Sequence, residues 1–164
     1  MKKVHPCLWF DGHAEEAAVF YVSIFKNSQI IDTARYLEGS PGEAGSVMTV
    51  RFVLDGQEFL ALNGGPQFTF SPAISFVVPC QTQAEVDEYW QRLSAGGEEG
   101  QCGWLQDRFG VSWQIVPDAL PAMLTSSDTA ASQRAFAAML HMKKLDIALL
   151  ERAFNKRGGT HDRA

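Results

Sequence analysis

Apolar residues along this chain fall into two kinds of period. Ala17, Phe20, Tyr21 and Ile24 sit at i, i+3, i+4 and i+7, and so do Val86, Tyr89, Trp90 and Leu93. Each set predicts a helix with one buried stripe. Between them lie short apolar runs and segments of two-residue alternation, the pattern of pleated strands. In chain order the spacing predicts a strand over 4–10, a helix over about 13–25, and strands over 29–37, 46–54 and 57–63. A strand over 73–78 follows, then a helix from Thr82 to Gly96-Gly97, and strands over 98–102, 103–107 and 111–117. Alternation is clearest in the last strand, where Val111, Trp113 and Ile115 interleave with Ser112, Gln114 and Val116.

Local chemistry punctuates these elements. Pro6 cannot donate to a ladder, so its strand should lie at an edge or start irregularly. Asp11-Gly12 ends that strand and can cap the helix after it. Thr82 and Glu85 have the spacing of a capping box. Asp55-Gly56 is a two-residue hairpin signal. The turn at 107–110 would expose Asp107 and Arg108 as a surface ion pair of small energetic weight.

The two helical stripes differ by a constant 69 positions, and the same offset lays residues 4–10 over 73–79. The order strand, helix, three strands therefore occurs twice, which reads as one module used in tandem. The first module is assigned to 1–65 and the second to 73–117. After Pro117 the character turns helical, with Phe136, Met139 and Leu140, then Ile147, Leu149, Leu150 and Phe154, as apolar positions. This gives a C-terminal helical extension over 118–157 and a flexible tail over 158–164. The extension must cover its own sheet or a partner's.

Composition narrows the function classes. A net charge of −5 argues against nucleic acid as a partner, which usually needs a basic face. No apolar run is long enough to span a bilayer. Cys7, Cys80 and Cys102 are scattered and odd in number, with no CxxC pair, which fits a reduced cytoplasmic setting and small core residues better than disulfides or a zinc site.

Four strings carry a resemblance: LWFDGHAEEAAVFYVSIF, LNGGPQFTFSPAISFVV, EVDEYWQRLSAGGEEGQCGWLQDRFGVSWQIVP and AFAAMLHMKKLDIALLERA. They resemble the PhnB-like family, often labelled 3-demethylubiquinone 3-methyltransferase, within the vicinal oxygen chelate superfamily. That superfamily includes glyoxalase I, extradiol dioxygenases and bleomycin-resistance proteins. The resemblance implies an α+β fold: two tandem βαβββ modules forming a curved, partly open eight-stranded mixed sheet with a cavity, plus C-terminal helices. It also implies a homodimer.

In metal-dependent members the resemblance implies four ligands, from the first and last strands of each module. His5 matches the first. By the 69-residue offset its counterpart falls near Ile74, between Ala73 and Ser75. The last strands place Ala61 and Gln114 at the other two positions. Two donors out of four do not hold a divalent ion against water. The expected function is therefore binding of an unidentified small molecule, with no complete metal site and no cofactor. His5, Trp9 and Gln114 are the expected cavity wall. Aromatics on the strands (Trp9, Phe59, Phe76 and Trp113) should divide between the two faces, and aromatic walls suit a planar or apolar ligand. The alternative is a metal-dependent lyase, isomerase or dioxygenase with His5, Glu58 and Gln114 as ligands. A methyltransferase is less favoured, because no GxGxxG follows a first strand. A third class is an interaction module whose terminal helices serve oligomerisation.

Overall fold

The alternation predicted from the sequence resolves, in a computed structural model describing residues 4–156, into two faces per sheet with a helix on one of them. The chain divides into two units, Met1–Ser71 and Pro72–Ala164. The tail expected to be flexible over 158–164 lies outside the described residues. The eight expected strands are present as two four-stranded mixed sheets.

The first unit runs β1 (Cys7–Phe10), α1 (Ala14–Ile24), β2 (Gln29–Arg35), β3 (Val47–Leu54) and β4 (Gln57–Asn63). Its sheet order is β1-β4-β3-β2, with β1 parallel to β4 and the other pairs antiparallel. Leu8, Phe10, Val50, Phe52, Leu54, Phe59 and Ala61 are buried on one face. Tyr21 of α1 stacks on Phe52 (6.2 Å between ring centroids) and Phe52 on Phe59 (5.4 Å), so this is the face beneath the helix. Each such buried aromatic contributes on the order of 2 kcal/mol of transfer free energy. Asp55 (φ 45°) and Gly56 (φ 78°) both take the positive φ of a type I′ hairpin turn.

Two local expectations are revised here. β1 begins at Cys7, because Pro6 has no N–H to donate, while its carbonyl accepts from the N–H of Leu60 (2.9 Å). As expected, β1 is an edge strand. Asp11 does not cap α1. The N-cap is His13, whose side chain makes no capping bond. Asn63, at the end of β4, accepts instead from the N–H of Ala14 (2.9 Å). Its Nδ2 donates to the Val47 carbonyl (3.0 Å), and the Tyr36 hydroxyl donates to its carbonyl (2.7 Å). One side chain thus ties the helix start to the sheet.

The second unit repeats the path: β5 (Ser75–Cys80), α2 (Gln83–Ser94), β6 (Glu98–Glu99), β7 (Trp104–Gln106) and β8 (Ser112–Pro117), in the order β5-β8-β7-β6. Thr82 caps α2, its Oγ1 accepting from Glu85 N–H (3.2 Å). The Glu85 carboxylate accepts from the N–H of Gln81 (2.7 Å), one residue ahead of the cap. β6 and β7 are shorter than predicted because the residues between them bond to a segment distant in sequence. The N–H groups of Cys102 (φ 59°) and Gly103 (φ 83°) leave the ladder and donate to the carbonyls of Met142 (2.7 Å) and Lys143 (2.8 Å), while the Gly103 carbonyl still accepts from Ile115 N–H (2.8 Å). A Cβ on Gly103 would meet the Ile115 carbonyl oxygen at 2.7 Å, so only glycine fits.

Asp107 also departs from expectation. It is buried (2 % exposed) rather than a surface turn residue. Its carboxylate accepts from the N–H groups of Phe109 (2.8 Å) and Val111 (3.1 Å) and from the Trp113 indole (2.8 Å). Three donors compensate for the loss of water around a buried charge.

The C-terminal helices α3 (Ala119–Leu124), α4 (Thr129–Leu140) and α5 (Ile147–Asn155) belong to this second unit. Leu120, Met123, Ala135, Leu145 and Leu150 form their shared core, with Val116 of β8 packed against it. Asp128 and Asp146 cap α4 and α5, accepting from Ala131 and Leu149 N–H, both at 2.9 Å. Gln83 docks the segment on α2: its Nε2 donates to the Leu145 carbonyl (3.1 Å) and its Oε1 accepts from Ile147 N–H (2.9 Å). The helices therefore have a covering role within their own chain.

Candidate functional site

Strand register decides which residues share the sheet faces turned away from the helices. In the first unit Phe10 pairs with Asn63, and Gly64 N–H donates to the Phe10 carbonyl (3.0 Å). In the second, Cys80 pairs with Pro117, and Asp118 N–H donates to the Cys80 carbonyl (2.8 Å). These ends are equivalent, so the first strands of the two units are offset by 70 residues. The helices keep the offset of 69, with buried Ala17, Tyr21 and Ile24 matched by buried Val86, Trp90 and Leu93. The discrepancy is one residue in the connection: 11–13 precede α1, whereas only 81–82 precede α2.

A shift of one in a strand exchanges its faces. The counterpart of His5 is therefore Ser75, not Ile74, which lies outside β5 and is 74 % exposed. By the same ends, the counterpart of Gln114 is Leu60. Ala61, the position expected from the sequence, is fully buried opposite Val50 on the face beneath α1. The four positions are thus His5, Leu60, Ser75 and Gln114. Aligning the repeat on its helices centres the counterpart on Ile74, with Ser75 only its neighbour, and the shorter strand-to-helix connection is the signal that separates the two.

The expected wall residues occupy distinct settings. His5 is exposed and precedes β1. Trp9 lies with Cys7 on the face opposite α1. Its indole donates to the Gly65 carbonyl (2.8 Å), and Phe68 meets its ring edge-on at 5.1 Å. Gly64 is required beside it, since a Cβ there would fall 2.3 Å from the indole. Glu58 shares this face but is engaged by Arg51 Nη1 (3.4 Å), whose Nε also donates to Asp32 (3.0 Å). The Arg51 guanidinium, chiefly through its hydrogen bonds, holds the Asp32 carboxyl below the usual carboxylate range. Phe59 and Trp113 are buried on the helix faces, and Phe76 meets Trp113 at 5.4 Å on that side. Trp9 alone of those four aromatics faces the other way.

In the second unit Gln114 is half-buried, paired with Val77 on one side and Trp104 on the other. Its Nε2 donates to Ser75 Oγ (2.9 Å). Two of the four positions therefore bond to each other. Among the described residues, no group of three or more His, Cys, Asp or Glu side chains is placed to hold a metal ion. No described helix is long and apolar enough to cross a membrane.

Two βαβββ units, each a four-stranded mixed sheet with a helix on one face, define an α+β domain of the glyoxalase/bleomycin-resistance type. The sequence profile of the 3-demethylubiquinone-9 3-methyltransferase family matches residues 2–116, and the chain belongs to this PhnB-like family of the vicinal oxygen chelate superfamily. The chain is similar to a PhnB protein from Bacillus cereus that carries the same methyltransferase designation. Identity is 38 % with a TM-score of 0.66, covering 71 % of this chain and 99 % of that one. It is also similar in fold to protein PA1353 from Pseudomonas aeruginosa, at 21 % identity and a TM-score of 0.59, covering 71 % of this chain and 98 % of that one. Among curated proteins none matches.

Proposed function

We propose that this protein binds a small molecule without the help of a divalent metal, on a sheet face turned away from its helix, with His5 and Trp9 as the candidate contacts in the first unit and Gln114 in the second. The observation that carries the reading is the content of the four equivalent positions. Leu60 offers no donor, the Ser75 hydroxyl already accepts from Gln114 Nε2 at 2.9 Å, and His5 stands alone as a conventional ligand. A borderline divalent ion needs several N and O donors freed for it. Glu58, the substitute ligand of the enzymatic alternative, is committed to Arg51.

A methyltransferase reading finds little support in the backbone. Each sheet has a single parallel pair, whereas the common methyltransferase and dinucleotide sites sit on doubly wound parallel sheets. Gly64-Gly65 follows β4 and packs on Trp9 instead of opening a helix.

The test is elemental analysis of protein purified without chelator, followed by titration with Mn(II), Ni(II), Zn(II) and Fe(II). The expected result is metal well below one equivalent and no saturable binding at micromolar concentration. Stoichiometric metal that disappears in a His5→Ala variant would overturn the reading.

A further inference from the structure

The row through Gln114 on the second unit's helix-free face differs in kind from its equivalent in the first, although the next row, Ser75, Ser112 and Gln106, ends at Glu98 on the far edge. In the first unit the strand row through Leu60 contains Cys7, Leu60, Arg51 and Asp32, and Glu58 reaches Arg51 from the same face. That row is charged, and its charges are paired with one another. The equivalent row in the second unit is Val77, Gln114 and Trp104, with Ser75 bonded to Gln114. None of these four residues carries a charge.

Resting on the binding function proposed above, we propose that the Ser75–Gln114 couple is the recognition point for a neutral, planar ligand bearing an amide-like edge, a carbonyl beside an N–H or O–H. The chemistry follows from the couple itself. Nε2 of Gln114 uses one hydrogen on Ser75, leaving its second hydrogen, its Oε1 acceptor and the Ser75 hydroxyl proton for a ligand. Whichever end of the amide faces Ser75, the couple presents a donor and an acceptor and no charge. The bond between them fixes the amide plane, so little side-chain freedom is lost when a ligand pairs with it. Val77, 56 % exposed, and Trp104, directly opposite Gln114 in the ladder, give an apolar and an aromatic flank. An anion or a cation would be desolvated there against groups that cannot neutralise it, which is costly. A polar array of this kind discriminates by leaving mismatched groups unpaired.

Three isosteric probes test this on the full chain: benzamide, benzoate and benzamidine, which are neutral, anionic and cationic at pH 7. Each is titrated into 15N-labelled protein while the Gln114 side-chain amide and the Trp104 indole resonances are followed. Benzamide should shift both saturably, and benzoate and benzamidine should bind at least fivefold more weakly. Gln114→Leu, close to isosteric, should weaken benzamide about fivefold to tenfold and abolish the preference. Ser75→Ala, a smaller change at the sheet edge, should act in the same direction and covers the case in which the leucine variant does not fold. Benzoate or benzamidine binding as well as benzamide, or a preference that survives both substitutions, overturns the neutral class and leaves small-molecule binding standing. No saturable shift from any probe overturns the couple as a recognition point, while the metal analysis above still decides the broader reading.

Discussion

At the scale of single residues, Asp107 is the position where burial and hydrogen bonding matter most. Its carboxylate serves two backbone N–H groups and the Trp113 indole in the turn that leads into β8. Truncation would leave three donors unpaired in a buried place, each costing roughly 1 kcal/mol or more. Asp107→Ala should therefore lose about 3 kcal/mol in urea unfolding, and Asp107→Asn, which keeps an acceptor oxygen, distinctly less. A loss under 1 kcal/mol for the alanine variant would show that the turn does not depend on the carboxylate. The sequence alone suggested a solvated ion pair there, because an Asp-Arg step in a turn looks the same whether or not an indole six residues on reaches back to it. Asn63 was missed for the same reason: its partners Ala14 and Val47 are distant in sequence and meet only through strand pairing.

At the scale of elements, the attachment of the terminal helices to α2 has a pH dependence. Lys144 Nζ lies 2.6 Å from Asp87. The Lys144 hydrogen bond, with a smaller contribution from Gln83, holds the Asp87 carboxyl below its ordinary 3.8. A lowered folded-state pKa means the contact stabilises above the unfolded value and is lost as pH falls through the folded one. Both groups are about half exposed, so solvent screens the pair and the effect is small. A Lys144→Met variant should be slightly less stable than the parent above about pH 4, and the gap should close in more acid solution. A gap that stays constant into strong acid would rule out this pair as its source. Element order, both helices and the β3–β4 hairpin were readable from periodicity and turn chemistry, because those signals are local. The lengths of β6 and β7 were not, since Cys102 and Gly103 give their N–H groups to the α4–α5 connection rather than to the sheet.

At the scale of the whole molecule, the two units repeat one path but not one chemistry. The tandem architecture was visible in the sequence because buried stripes recur at a fixed offset. Which residues share the helix-free faces was not, since a one-residue difference between 11–13 and 81–82 moves the strands against the helices. Correcting it replaces Ile74 and Ala61 by Ser75 and Leu60 and still leaves His5 as the one conventional metal ligand of the four. Family membership and fold are secured by the match over 2–116 and by the topology. The central claim is that the family's fold is used here for binding without a metal. Its most direct test is a thermal-shift screen of the protein against a metabolite library, run once with EDTA and once with Mn(II), since a compound that binds the folded state raises the midpoint. The same compounds should stabilise the protein in both runs, with shifts unchanged by the metal. Compounds that stabilise only when Mn(II) is present would contradict it.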